Sequence, residues 1–247
     1  MPTEQATPER VPSPLDELVI DQNERFDELL DARSRDRTLP KRERTRCAVL
    51  ACVARQLLAE PGRRPMIESI LNDTGLSRGT FYNYFDDIDQ AVEALLMAFF
   101  RALWSRPGPR RKKPAAARSE DAVYATNLWY CRAYEANAGL FAAFSHVSAY
   151  TPSLVRMREE MNAVWVDRVI DAVARDDAIE FGAALRREFK GALRLLIAMS
   201  IEALRERHVH RDDLLLKSFR DAEELAAGLS NIWKEVIAGF VARARRR

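Results

Sequence analysis

The chain has 247 residues, 47% of them hydrophobic and 31% charged, with a formal net charge of +2. That apolar content fills one large or two small cores and excludes global disorder; so small a net charge gives no whole-molecule field, so any basic surface is local. Nine glycines against abundant Ala, Leu, Glu and Arg favour helices over sheets.

Residues 1–14 carry four prolines and read as an unstructured leader without the apolar stretch of a signal peptide. The longest apolar runs, such as Ala91 to Phe100, are about half a bilayer span. Cys47, Cys52 and Cys131 show no CxxC spacing and read as free thiols. The expectation is a cytoplasmic protein with no membrane contact. Leu15, Leu18, Val19, Phe26, Leu29 and Leu30 fall on one helical face. Ten acids against five arginines make residues 1–40 an acidic extension with one amphipathic helix, which packs either on the body or across a partner.

From Lys41 the charge reverses. The run KRERTRCAVLACVARQLLAE predicts a helix with Val49, Leu50, Val53, Leu57 and Leu58 inward, ended by Pro61-Gly62. Two short helices, Pro65 to Asp73 and Ser77 to Phe85, flank Thr74-Gly75-Leu76, and a longer one runs from about Asp87 to Trp104. Residues 106–118, with three prolines and six basic residues unopposed by any acid, read as a linker. Amphipathic helices follow at roughly 120–137, 139–147, 153–175, 181–208 and 218–244. No strand-like alternation is present, so the expected fold is all-α. An N-terminal three-helix helix-turn-helix domain occupies 41–88 and a C-terminal helical bundle 89–247.

The informative stretch runs from Ile67 to Phe85. Ile67, Ile70 and Leu71 give the first short helix an inner face, and Gly75 stands just past it, where a left-handed residue costs least. Leu76 plugs the turn, Ser77 is a good N-cap, and Phe81 and Phe85, four apart, anchor the second helix. Its outer face then carries Arg78, Thr80, Tyr82, Asn83 and Tyr84, side chains suited to phosphates and to base edges in the major groove. The bland alternative is a packing turn in a bundle that touches no DNA.

The order Thr-Gly-Leu-Ser-Arg-Gly-Thr-Phe-Tyr-x-Tyr-Phe at 74–85 resembles the signature of TetR-family transcriptional regulators, strongly over about 42–100 and in architecture beyond. The resemblance implies DNA contacts at Ser77, Arg78, Gly79, Thr80, Tyr82, Asn83 and Tyr84, with Arg44 and Arg46 near the DNA backbone. It also implies a double-stranded operator, a body that binds a small-molecule effector, and a homodimer. Two positions depart from the family: Ile88 stands where Lys commonly grips a phosphate, inside an acidic run of Asp86, Asp87 and Asp89, and Met66 stands where Thr is frequent. The basic stretches 41–46, 63–64 and 106–113 are the expected compensation.

In the body, Trp104, Trp129, Tyr130, Tyr134 and Trp165 are the expected pocket residues, with core filling as the alternative. Leu196, Leu229, Trp233, Ile237 and Phe240 are the expected dimer residues on the last two long helices, with burial inside one chain as the alternative. His146 reads as an interior histidine or a ligand handle. His208 and His210, two apart, point to different faces of a helix and make no metal site; Cys47 and Cys52 cannot bridge on one helix. Ser148, Ser200 and Ser230 lack a His-plus-acid companion pattern, so no enzyme, cofactor or metal is expected. A competing reading is a helical interaction protein with a vestigial helix-turn-helix, working through its acidic extension.

Overall fold

A computed structural model of the protein describes residues 14–105 and 119–246, and every regular element among them is helical. The leader up to residue 13 and the linker expected at 106–118 lie outside the described residues. After a 3-10 turn at Pro14–Glu17 come α1 (Phe26–Arg35), α2 (Lys41–Ala59), α3 (Ile67–Thr74), α4 (Arg78–Tyr82) and α5 (Ile88–Trp104). Then follow α6 (Ser119–Ala136), α7 (Ala138–Val147), α8 (Pro152–Asp176) and α9 (Ala183–Arg205). A π-helical turn at Glu206–His210 leads into α10 (Asp213–Ser218) and α11 (Ala222–Arg245).

Short polar side chains start several of these helices. Ser77, Asp87, Asp212 and Asp221 each accept the backbone N–H three residues on, satisfying donors that a helix start leaves open. The expected helix over 181–208 stops at Arg205, and the π turn after it closes on Arg211 in a left-handed conformation (φ 60°). Buried Arg207 ties that turn down, donating to the carbonyls of Leu215, Phe219 and Arg220 at 3.5, 2.5 and 3.0 Å.

The acidic extension departs from its predicted single helix. Leu18 and Ile20 are both buried while Val19 between them is exposed, the alternation of an extended segment. The segment ends in a local turn, where Glu24 accepts from the Asp21 N–H at 3.1 Å and Asp21 from the Gln22 N–H at 2.6 Å. Helix α1 begins only at Phe26, which is fully buried, and lies along α2. Burying such a ring stabilises by about 1.5–3 kcal/mol. Leu15, Leu18, Ile20, Phe26 and Leu30 of the extension are thus part of the chain's own core.

Two cores result. The larger joins Leu18, Phe26, Val53, Phe99, Tyr134 and Phe141 across α1, α2, α5, α6 and α7. The smaller gathers Val166, Ile170, Phe189, Leu193 and Trp233 between α8, α9 and α11. Helix α11 is, by length and composition, long and apolar enough to cross a membrane, which inspection of its apolar runs did not suggest. Its Leu225, Ala226, Leu229 and Trp233 are covered here by protein, chiefly α6 and α9.

Candidate nucleic-acid interface

Helices α3 and α4 are joined by a turn whose conformation follows from its residues. Gly75 sits at φ 68°, ψ 15°, and its N–H closes on the Leu71 carbonyl at 2.9 Å. No atom lies within 4 Å of where its Cβ would stand, so the left-handed backbone and not space calls for glycine. Ser77 Oγ then accepts the Thr80 N–H at 3.1 Å and lies 2.9 Å from the Thr80 hydroxyl. Phe81 is fully buried and packs on Phe85 with ring centroids 5.8 Å apart, fixing which side of α4 faces outward.

That outward side carries Ser77, Arg78, Gly79 and Asn83, all exposed, and Tyr82 with 45% of its surface open. Thr80 is half-buried, its hydroxyl engaged with the cap, and Tyr84 is half-buried against the larger core. The face offers a guanidinium, an amide, a phenol and hydroxyls on one rigid short helix, donors for anions and for base edges.

Neighbours that sequence spacing does not announce tune this face. Arg78 is hydrogen-bonded to Glu68 of α3, whose own backbone N–H and the Arg78 guanidinium hold its carboxyl below the usual range. Gln56 of α2 grips the start of α3 both ways: its Oε1 accepts the Met66 N–H at 2.8 Å and its Nε2 donates to the Met66 carbonyl at 3.4 Å. Met66 therefore contributes its backbone to the fold while its side chain is exposed.

The acidic run has structural employment. Asp87 accepts the Gln90 N–H at 2.7 Å, and the Gln90 amide bonds back to the Asp86 N–H and carboxylate at 2.7 and 2.9 Å, a reciprocal capping arrangement for α5. Ile88 is buried in the larger core, where a lysine would not be tolerated. Asp89 forms a two-pronged pair with Arg64 at 3.0 and 2.8 Å, and Arg63 pairs with Glu60 at 2.6 Å. Positions 63–64 are accordingly paired with exposed carboxylates, with which a phosphate would have to compete, and 106–113 lie outside the described residues.

Arg44 and Arg46 diverge. The Arg46 guanidinium lies over the Phe85 ring, 5.8 Å from its centroid, beside the junction of α4 and α5. Arg44 lines a cleft of about 220 Å3 together with Ser34 of α1, Lys41 and Thr45 of α2, and Thr74 and Leu76 at the turn. This basic cleft adjoins the residues leading into α4, and sequence spacing alone did not bring Ser34, Lys41 and Thr45 to it.

The expected pocket residues separate. Tyr134 stacks on Phe141 at 4.2 Å, Tyr130 meets the same ring edge-on at 5.8 Å, and Trp129 and half-buried Trp104 belong to the same core. Trp165 stands apart in the smaller core, edge-on to Trp233 at 5.4 Å, because α8 presents it to α11. The five do not line one space. His146 is exposed, beside Tyr150, and is no interior histidine. His208, in the π turn, faces the Tyr134 ring at 5.8 Å.

The expected dimer residues turn inward. Leu196, Leu229, Trp233 and Ile237 are buried within the chain, Trp233 donating to Ser200 Oγ at 3.0 Å, and half-buried Phe240 stacks on Phe189 at 4.6 Å. They face inward because α9 and α11 pack on α8 and α6. The large apolar groups these two helices leave outside are Leu195, 74% exposed and between the exposed small residues Gly191 and Ala198 of α9, and Ile232 of α11, 47% exposed.

No family model, curated protein or solved structure matches the chain.

Proposed function

We propose that this chain is a TetR-type DNA-binding transcriptional regulator that acts as a cytoplasmic homodimer on a double-stranded operator. In this reading α4 enters the major groove, the basic cleft at Lys41 and Arg44 lies along the phosphates, and the protein is a binder with no catalytic step or cofactor. What carries it is the α3–α4 turn: left-handed Gly75, the Ser77 cap and buried Phe81 leave Arg78, Tyr82 and Asn83 together on one open face. The exposed strip of Leu195, Gly191, Ala198 and Ile232 is the surface on which a second copy would pair α9 and α11. Two readers on one duplex would then multiply weak half-site affinities.

In the same reading the helical body takes a small, largely apolar effector, whose binding would favour a released form and make the protein a repressor. The competing reading, a helical interaction module with a vestigial helix-turn-helix, keeps Ile88 and Met66 as its motive and is weakened on one count, its acids. Asp86, Asp87 and Asp89 are occupied as caps and ion pairs, and α1 is packed on α2.

Selection of duplexes from a random pool, then fluorescence anisotropy on the selected and a shuffled sequence at several salt concentrations, tests the reading. Sequence-selective binding that weakens with salt is expected. Equal binding to both duplexes, or binding to neither, overturns it.

A further inference from the structure

The first turn of α1 is held from two sides by groups on different parts of the chain. On one side stands Asn137, fully buried at the corner between α6 and α7. Its Oδ1 accepts the Phe26 N–H at 2.9 Å, and its Nδ2 donates to the carbonyls of Glu24 at 2.9 Å and Ala133 at 3.1 Å. Arg25, at the N-cap position, makes no side-chain cap, so an amide from the distant corner does that work. The ring of Phe26 continues the contact, edge-on to Phe99 at 5.3 Å, which is edge-on to Phe141 of α7 at 5.2 Å.

On the other side is Asp27. It is buried, accepts two 3.0 Å bonds from Arg25, and lies 4.0 Å from Nε of Arg55 on α2. Arg55 reaches on to Asp73 of α3 at 3.5 Å. Asp73 is two residues ahead of Gly75. A polar path thus runs from Asn137 through the first turn of α1 to Arg55, Asp73 and the turn that sets α4, without using α5, the covalent connection between these regions.

We infer that α1 is a positioning brace: through Arg55 it fixes the α3–α4 turn relative to the α6–α7 corner, so that displacing Asn137 changes how α4 is presented. The consequence for DNA rests on the DNA-binding reading; the mechanical link does not. Arg55 and Asn137 act through other residues and are positioning groups, distinct from the outward face of α4.

The test compares the full-length chain with Arg55→Gln, Asp73→Asn and Asn137→Ala by hydrogen exchange over residues 67–83 and by titration of the selected duplex. The first two variants change partly exposed side chains and leave the cores intact. Asn137→Ala strands the buried Phe26 N–H, so it is measured well below its lowered melting point. Each variant is expected to speed exchange in 67–83 by about threefold to tenfold. Arg55→Gln should also weaken duplex binding about threefold with an unchanged salt slope, because no phosphate contact is lost. Faster exchange confined to residues 24–35 in Asn137→Ala overturns the brace. So does a salt slope lowered by about one in Arg55→Gln, which makes Arg55 a phosphate contact. A wild type that selects no duplex removes the DNA-binding reading alone, and exchange over 67–83 then decides the brace by itself.

Discussion

Helix α7 meets helix α2 backbone to backbone where Gly139 faces the carbonyl of Leu57. A Cβ at Gly139 would press into that oxygen and stand 2.7 Å from the Cα of Leu58, with no flexible side chain able to yield. Gly139→Ala must therefore shift one helix against the other. We expect a loss of about 1–3 kcal/mol in urea unfolding despite alanine's better helix propensity. An unchanged midpoint would mean that the helices separate freely at this contact.

Arg78 spends part of its donor capacity on Glu68. If α4 reads DNA, the two residues have opposite signs. Arg78→Gln should weaken duplex binding about tenfold or more and, if it holds a phosphate, reduce the salt slope by about one. Glu68→Gln should strengthen binding, since it frees the guanidinium and removes a repelling charge. Anisotropy titrations at three salt concentrations measure both, and equal weakening by the two substitutions would contradict the competition.

The His208 ring is pushed down from its ordinary 6.5 to about 4, first by burial and then by the adjacent Arg207 and Arg211. The folded state thus favours neutral imidazole, while the unfolded chain takes up its proton near pH 6.5. The contribution to stability is whole above that pH and is lost as pH falls from 6.5 to about 4. Allowing for solvent at the partly open ring, it amounts to about 1–2 kcal/mol. Urea midpoints at pH 7.5, 6 and 5 should fall less steeply in His208→Gln, and parallel profiles would exclude this histidine as the cause.

Burial pushes the Cys47 thiol up to about 11 and Cys131 up to about 12, and raises Cys52 as well. All three are buried and unbridged. Since the thiolate is the reactive form, an aromatic disulfide reagent should label the native protein very slowly at pH 8 and all three thiols quickly in urea. Rapid native labelling of one cysteine would show local opening at its helix.

The α3–α4 turn was legible in the sequence because its determinants are local: Gly75 for a left-handed residue, Ser77 for a cap three residues before its donor, Phe81 and Phe85 one helical turn apart. The acid run was read by charge alone, although Asp87 and Gln90 stand at capping-box spacing. The pairs Arg64–Asp89 and Asn137–Phe26 join residues with no sequence periodicity between them, and nothing in the chain announces them. At Trp233 and Leu196 periodicity marked a buried face correctly but could not say what buries it, which here is the chain itself. The extension's apolar residues match a helical face by spacing, yet Leu18 and Ile20 are buried on either side of exposed Val19, because a turn at Asp21–Glu24 separates them from α1 and their cover comes from the larger core.

The bond from Phe26 to Asn137 closes a loop of 111 residues. In synthesis α1 therefore emerges early and waits, with Phe26 and Leu30 lacking part of their cover, until the α6–α7 corner has been made. An early-made segment thus gets its last hydrogen-bond partner late, while the larger core still awaits Leu204, Leu225 and Leu229. A nascent chain halted before Asn137 would hold α1 on α2 alone, with the Phe26 N–H still open and part of the Phe26 ring uncovered, a natural handle for chaperones and proteases.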